Sequence, residues 1–137
     1  KVVTTLTITN RADEVVVSRG FQPPDTIRSV ILDNVLVDTG ATTLCLPTNI
    51  IEQLGLSLLK EVDVEMASGI GKARIFRDAT IRLGDREGTF ECLELPGGKN
   101  PLLGVIPLES LGIEIDLANQ KLVTLPISPT DTYLTIL

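Results

Sequence analysis

Val35-Leu36-Val37-Asp38-Thr39-Gly40-Ala41-Thr42-Thr43 sets a carboxylate directly at the end of an apolar run. A carboxylate in such a place is costly unless its oxygens are hydrogen-bonded. Thr39 offers a hydroxyl, and Gly40 offers a backbone N–H on a residue free to turn tightly. Together they can hold the Asp38 carboxylate at the floor of a cleft. The same residues also fit a plain turn in which Asp38 caps local backbone, and taken alone they leave both readings open.

The rest of the chain narrows the chemistry. Its 137 residues fit one domain, 1–137, long enough to bury a real core, and they contain no histidine. That excludes a Ser-His-Asp triad, a Cys-His pair, a His-bearing zinc site and a His general base. With three Phe, one Tyr, no Trp and a net charge of -6, base-stacking nucleic-acid readout is not expected. Catalysis therefore falls to carboxylates, hydroxyls, lysines or backbone groups, with no cofactor and no metal. Charge is spread along the chain without a block of like sign, which favours solubility over any particular partner. No apolar run is long enough for a membrane span. Lys1-Val2-Val3-Thr4-Thr5 lacks the features of a secretory signal, so the expected location is cytoplasmic. Cys45 and Cys92 stand far apart without ligand-like neighbours and read as free thiols of a reducing compartment.

Strand signals dominate, so the fold class is all-β. Val2–Thr9 alternates as a half-buried strand, and Val15-Val16-Val17 follows a turn at Asn10-Arg11. Phe21–Asp25 holds two prolines and reads as a loop. Ile27–Leu32 and Val35–Val37 read as strands joined by a tight Asp33-Asn34 turn. Glu61, Asp63 and Glu65 alternate with Val62, Val64 and Met66, which puts three carboxylates on one strand face, either a solvated face or a metal site lacking other ligands. Hairpins are expected around Gly84–Gly88 and Leu117–Gln120. Two short helices interrupt the pattern, one opening at Pro47 and closing at Gly55, the other running from Pro107 to Gly112. They belong to a weak internal repeat. Val37-Asp38-Thr39-Gly40 leads to a helix that exits through Leu54-Gly55-Leu56, and Leu102-Leu103-Gly104 leads to one that exits through Leu111-Gly112-Ile113.

In order and spacing, Val35–Thr43, Leu102-Leu103-Gly104 and the helix Pro107–Gly112 resemble the retropepsin-like aspartic proteases, particularly small single-domain bacterial members. The resemblance runs from about Ile27 to Leu125. It implies a closed, acid-protease-type β-barrel protomer with one or two short helices and a single Asp-Thr-Gly motif. It also implies an active site made by two aspartates in a homodimer, acting on a polypeptide substrate. The physics agrees, because acid-protease chemistry needs two carboxylates sharing one proton and each chain supplies one such Asp. Asp38 and its symmetry mate would then meet on the two-fold axis. By the same resemblance Thr39 cross-links the two active-site loops, and Gly40 donates its N–H toward Asp38.

A flap hairpin is expected at Ala67-Ser68-Gly69-Ile70-Gly71-Lys72, between a strand ending at Met66 and one starting near Ala73. Ser68, Gly69, Ile70, Gly71, Ala41 and Ile106 are the candidate substrate-binding residues. Gly69–Lys72 is a poor match to a phosphate loop, since Ala73 follows the lysine. A Ser68–Lys72 catalytic pair on a hairpin tip is the weaker reading beside solvated side chains. Asp33 and Asp116 read as turn residues. The chain departs from viral members in carrying Thr42-Thr43 after the motif and Val105 after Gly104, which removes the ion pair bracing the viral dimer. Val2–Thr9 and Thr132–Leu137 are strand-like segments able to interleave across a dimer. Ala41 places no hydroxyl beside the carboxylate, so a mildly acidic to neutral working pH is expected. The competing reading is a non-catalytic barrel of the same ancestry, serving dimerisation or peptide binding.

Overall fold

Apolar side chains at Val2, Leu6 and Ile8 point into the core from β1 (Val2–Asn10), while Val3 and Thr5 face outward. The computed structural model describes residues 1–97 and 100–126. The expected interleaving segment Thr132–Leu137 lies outside them. β1 pairs antiparallel with β2 (Ser29–Val37), from Val2↔Val37 to Thr9↔Ser29.

Asp33-Asn34 is not a hairpin turn. β2 runs through it unbroken, and the register against β1 shifts between Thr4 and Leu6, opposite these two residues. The extra residue is absorbed as a bulge, because β1 offers a partner on both sides of it. A second correction concerns Val15-Val16-Val17. These residues belong to an α-helix, α1 (Arg11–Ser18), so there are three α-helices among the described residues where one or two were expected. Asn10 starts it, its side chain accepting the Asp13 N–H at 3.0 Å. Asp13 and Glu14 then hold it to the sheet: Asp13 accepts the Arg28 guanidinium at 2.9 Å, and Glu14 accepts Thr80 Oγ1 at 2.6 Å and Arg82 at 2.9 Å. Cap and ion pairs outweigh the mild helix penalty of three valines.

From Asp38 the chain crosses into β3 (Leu44–Pro47) and α2 (Thr48–Leu54), which Gly55 closes in the left-handed region at φ 64°. Next come β4 (Leu58–Met66), β5 (Gly69–Leu83) and β6 (Arg86–Leu95) in antiparallel succession. The short β7 (Leu102–Leu103) leads into α3 (Val105–Ser110), which starts two residues before the expected Pro107. β8 (Ile113–Asp116) and β9 (Lys121–Thr124) form a separate two-stranded sheet.

The main sheet has the order β1-β2-β7-β3-β6-β5-β4, and β1 also pairs with β5 from Thr7↔Arg82 to Asn10↔Ala79. The protein is thus mostly β. Leu6, Ile8, Val35, Leu44, Leu46, Leu54, Ile81 and Leu103 are fully buried in one core. Their burial, at about 1.5–3 kcal/mol per large aliphatic side chain, supplies most of the driving force.

Candidate active site

The two motifs of the internal repeat lie side by side. β2 and β7 pair in parallel, Leu36↔Leu102 and Val37↔Leu103, and β7 pairs antiparallel with β3 on its other edge. The strand entering the Asp38 loop and the strand leaving it are therefore separated by two residues of the second motif. Backbone bonds finish the clamp. Asp38 N donates to Leu103 O at 3.0 Å, Gly104 N to Thr43 O at 3.0 Å, Val105 N to Ala41 O at 2.9 Å and Ile106 N to Thr42 O at 2.9 Å.

This closeness explains Gly104. A methyl group there would lie 2.5 Å from the Thr43 carbonyl oxygen and 2.6 Å from that of Ala41. Both are main-chain atoms, so no side-chain rotation relieves the contact. Inside the loop, Gly40 N donates to Asp38 Oδ1 at 2.8 Å, and Ala41 N donates to the Asp38 carbonyl at 3.1 Å. The carboxylate is half-buried, with Thr39 and Gly40 exposed beside it. One oxygen is thus fixed by the backbone while the group keeps an open side.

Thr39 also lines a groove of about 450 Å³ with Val105, Leu108, Ile113, Ile115 and Leu117, to which Glu109 and Glu114 add two carboxylates. Ile106 projects from α3 next to the loop and is 50% exposed. Of the expected site residues, Asp38, Thr39, Gly40, Ala41 and Ile106 are therefore brought together.

Ser68, Gly69, Ile70 and Gly71 are not joined to them. They sit at the exposed tip of the β4–β5 hairpin, and among the described residues no hydrogen bond links that tip to the Asp38 loop. The tip is also tighter than expected. Met66 pairs directly with Gly69, so the turn is Ala67-Ser68 alone and the returning strand begins at Gly69 rather than near Ala73. Two-residue connections are the commonest in hairpins.

Asp63 on β4 takes an ion pair from Lys72 at 2.7 Å, and all three acids of that face are exposed. Cys45 and Cys92 are buried free thiols. Burial, and then the charge of Asp38, push the Cys45 thiol up to about 11; burial, with Cys45 and Glu94 nearby, pushes Cys92 to about 12.

One cluster was not expected from the sequence. Glu94 is buried yet charged, gripped by Arg74 and Thr48. Its signal was present in the alternation of β6, where Glu94 falls on the same face as buried Cys92.

Residues 33–110 match the family model described as "gag-polyprotein putative aspartyl protease". No curated protein matches the chain. The matched span holds the Asp38 loop, the β4–β5 hairpin, β7 and α3, which are the parts that build and flank the clamp. It takes in more than half of the sequence, and on that ground the chain belongs to the gag-polyprotein aspartyl protease family.

Proposed function

We propose that two copies of this chain form an aspartic endopeptidase, with Asp38 of each copy meeting across a two-fold axis. The clamped, half-open Asp38 carboxylate carries this reading. Two such groups about 3 Å apart hold one proton between them. The ionised carboxylate takes a proton from a water, whose oxygen bonds to the carbon of the scissile carbonyl. The protonated partner gives its proton to the carbonyl oxygen. The resulting diol then collapses: one of its hydroxyls returns a proton to the partner carboxylate as the carbon–nitrogen bond breaks, and the amine leaves protonated by the carboxyl that took the water's proton. The protons belong to the pair rather than to either residue.

The exposure of Thr39 in a largely apolar groove supports its role in joining the two loops. Exposed Ile106 and Leu117 extend an apolar surface around it, suited to a second copy. Ser68, Gly69, Ile70 and Gly71 form the tip of the flap that closes over substrate, a reading supported by the exposure of Ser68, Gly69 and Ile70, the last at 77%. Ala41 and Ile106 complete the cleft floor. The pairing of β1 with both β2 and β5 supports a sheet closed into a barrel, with β4 outside the ring.

The test incubates an unstructured polypeptide with wild type and Asp38→Asn across pH, with and without a hydroxyl-bearing transition-state mimic. Cleavage by the wild type alone, blocked by the mimic, is expected, best at mildly acidic to neutral pH. Equal cleavage by both proteins removes Asp38 from the mechanism. Sedimentation in parallel is expected to give a dimer, and a monomer at the assay concentration contradicts the shared site.

A further inference from the structure

Among the described residues, the β4–β5 hairpin has no third strand beyond Ile75. β5 meets β6 at Ile75↔Leu93 and Phe76↔Cys92, whereas Gly69–Arg74 pair with β4 alone. Two irregularities bracket the place where this arm leaves the sheet. The β4–β5 register shifts between Leu58 and Lys60, and the β5–β6 register shifts between Phe76 and Ala79. Bulges bend a strand and sharpen its twist, so the arm is jointed at its base. A two-stranded ribbon is marginal by itself in water, and its direction has to be held from outside.

Glu94 sits at that joint. It is 6% exposed, and both of its oxygens are used. Arg74 Nε donates to Oε1 and Arg74 Nη2 to Oε2, each at 2.7 Å, and Thr48 Oγ1 donates to Oε2 at 2.9 Å. The Arg74 guanidinium also lies 5.2 Å from the centre of the Phe76 ring. Three elements therefore converge on one carboxylate: the arm, β6, and the first residue of α2. The last of these follows directly on β3, the strand that leaves the Asp38 loop. A two-pronged contact fixes direction as well as distance, which a single point contact does not. The arm's other ion pair, Lys72–Asp63, joins its own two strands and anchors it to nothing else.

We propose that Glu94 is a positioning residue, which through Arg74 holds the hairpin arm in a fixed direction relative to the Asp38 loop. The proposal rests on reading the arm as the flap of the protease. Arg74→Lys keeps the charge but loses the fork, Glu94→Asp keeps the carboxylate on a shorter stem, and Glu94→Gln removes the charge.

Amide hydrogen exchange at neutral pH, resolved by mass spectrometry, reads the arm directly. Residues 60–74 are expected to exchange about tenfold faster in Glu94→Gln, as loss of a charged hydrogen bond implies, with β1 and β2 unchanged. Arg74→Lys falls between that variant and wild type, and gives the answer by itself if Glu94→Gln does not fold. In polypeptide hydrolysis, KM rises more than kcat falls, and Glu94→Asp recovers part of the loss. Exchange that is unchanged, or that accelerates equally in the arm and in β1–β2, overturns the proposal. A wild type that cleaves nothing sinks the protease reading, while the exchange data still decide whether Glu94 holds the arm.

Discussion

Replacing Gly104 by alanine tests the clamp around Asp38 more sharply than any change to the carboxylate. The added methyl would approach the Thr43 oxygen to 2.5 Å, the Ala41 oxygen to 2.6 Å and the Thr43 nitrogen to 2.7 Å. Ordinary contact begins near 3.4 Å, so the loop and β7 must part by about 0.9 Å. That opening stretches the bonds of Gly104, Val105 and Ile106 to the loop, now 3.0, 2.9 and 2.9 Å. Overpacking costs about 1–3 kcal/mol, and each weakened bond forfeits part of about 1 kcal/mol. The expected destabilisation is about 3 kcal/mol. In urea this moves the unfolding midpoint, followed by far-ultraviolet circular dichroism, down by about 1.5–2 M. Because the displaced atoms carry Asp38, hydrolysis should fall about a hundredfold at temperatures where the variant stays folded. Gly20→Ala is the control. Gly20 has φ 80° with nothing within 4 Å, so it bears only the backbone cost, about 1 kcal/mol. A Gly104→Ala protein no less stable than Gly20→Ala, with full activity, refutes the steric argument.

Acid should unfold the protein through its paired carboxylates. Hydrogen bonds from Arg28 lower Asp13, from Arg74 lower Glu94 and from Asn119 lower Asp116, while for Glu14 burial raises the value and bonds from Thr80 and Arg82 outweigh it. Lowered folded-state values mean stability that is present above the ordinary carboxylate range, about pH 4, and lost as pH falls through the lowered values. Tm is thus expected to hold from pH 7 to 5 and then drop, and a Tm that rises from pH 5 to 3 contradicts this. With thiols at about 11 and about 12, Cys45 and Cys92 should resist iodoacetamide at pH 8 in the folded protein and both react in denaturant. Rapid labelling of the native protein would count against their burial. Arg86 is 4% exposed and donates to the carbonyls of Leu111 and Leu125. Arg86→Leu strands both acceptors and should cost about 2–4 kcal/mol in denaturant unfolding, and a loss under about 0.5 kcal/mol shows that they find water instead.

The Asp38 motif, its partner at Leu102-Leu103-Gly104 and the two later helices were legible because each is a local signal, an apolar run followed by a turn-former. The Asp33-Asn34 bulge was not, since a turn and a bulge differ only in whether a neighbouring strand continues past, and β1 lies far away in sequence. α1 was obscured by its own valines, although Asn10, Asp13 and Glu14 carried the capping signal. Glu94 and Arg86 show the deeper limit. Each breaks an otherwise apolar surface, which alternation does reveal, but their partners come from other elements and only the folded chain brings them together.

The parallel pairing of β2 with β7 also governs when the site can exist. Residues 38 and 103 touch only after everything between them has been enclosed in a loop, at an entropic cost of about 4 kcal/mol. Such distant contacts make folding slow. The Asp38 loop therefore has no rigid form until β7 closes onto it. A polypeptide still emerging from the ribosome, with β2 made and β7 not, carries the carboxylate without the clamp. The clamp is supplied late, by the same step that completes the main sheet.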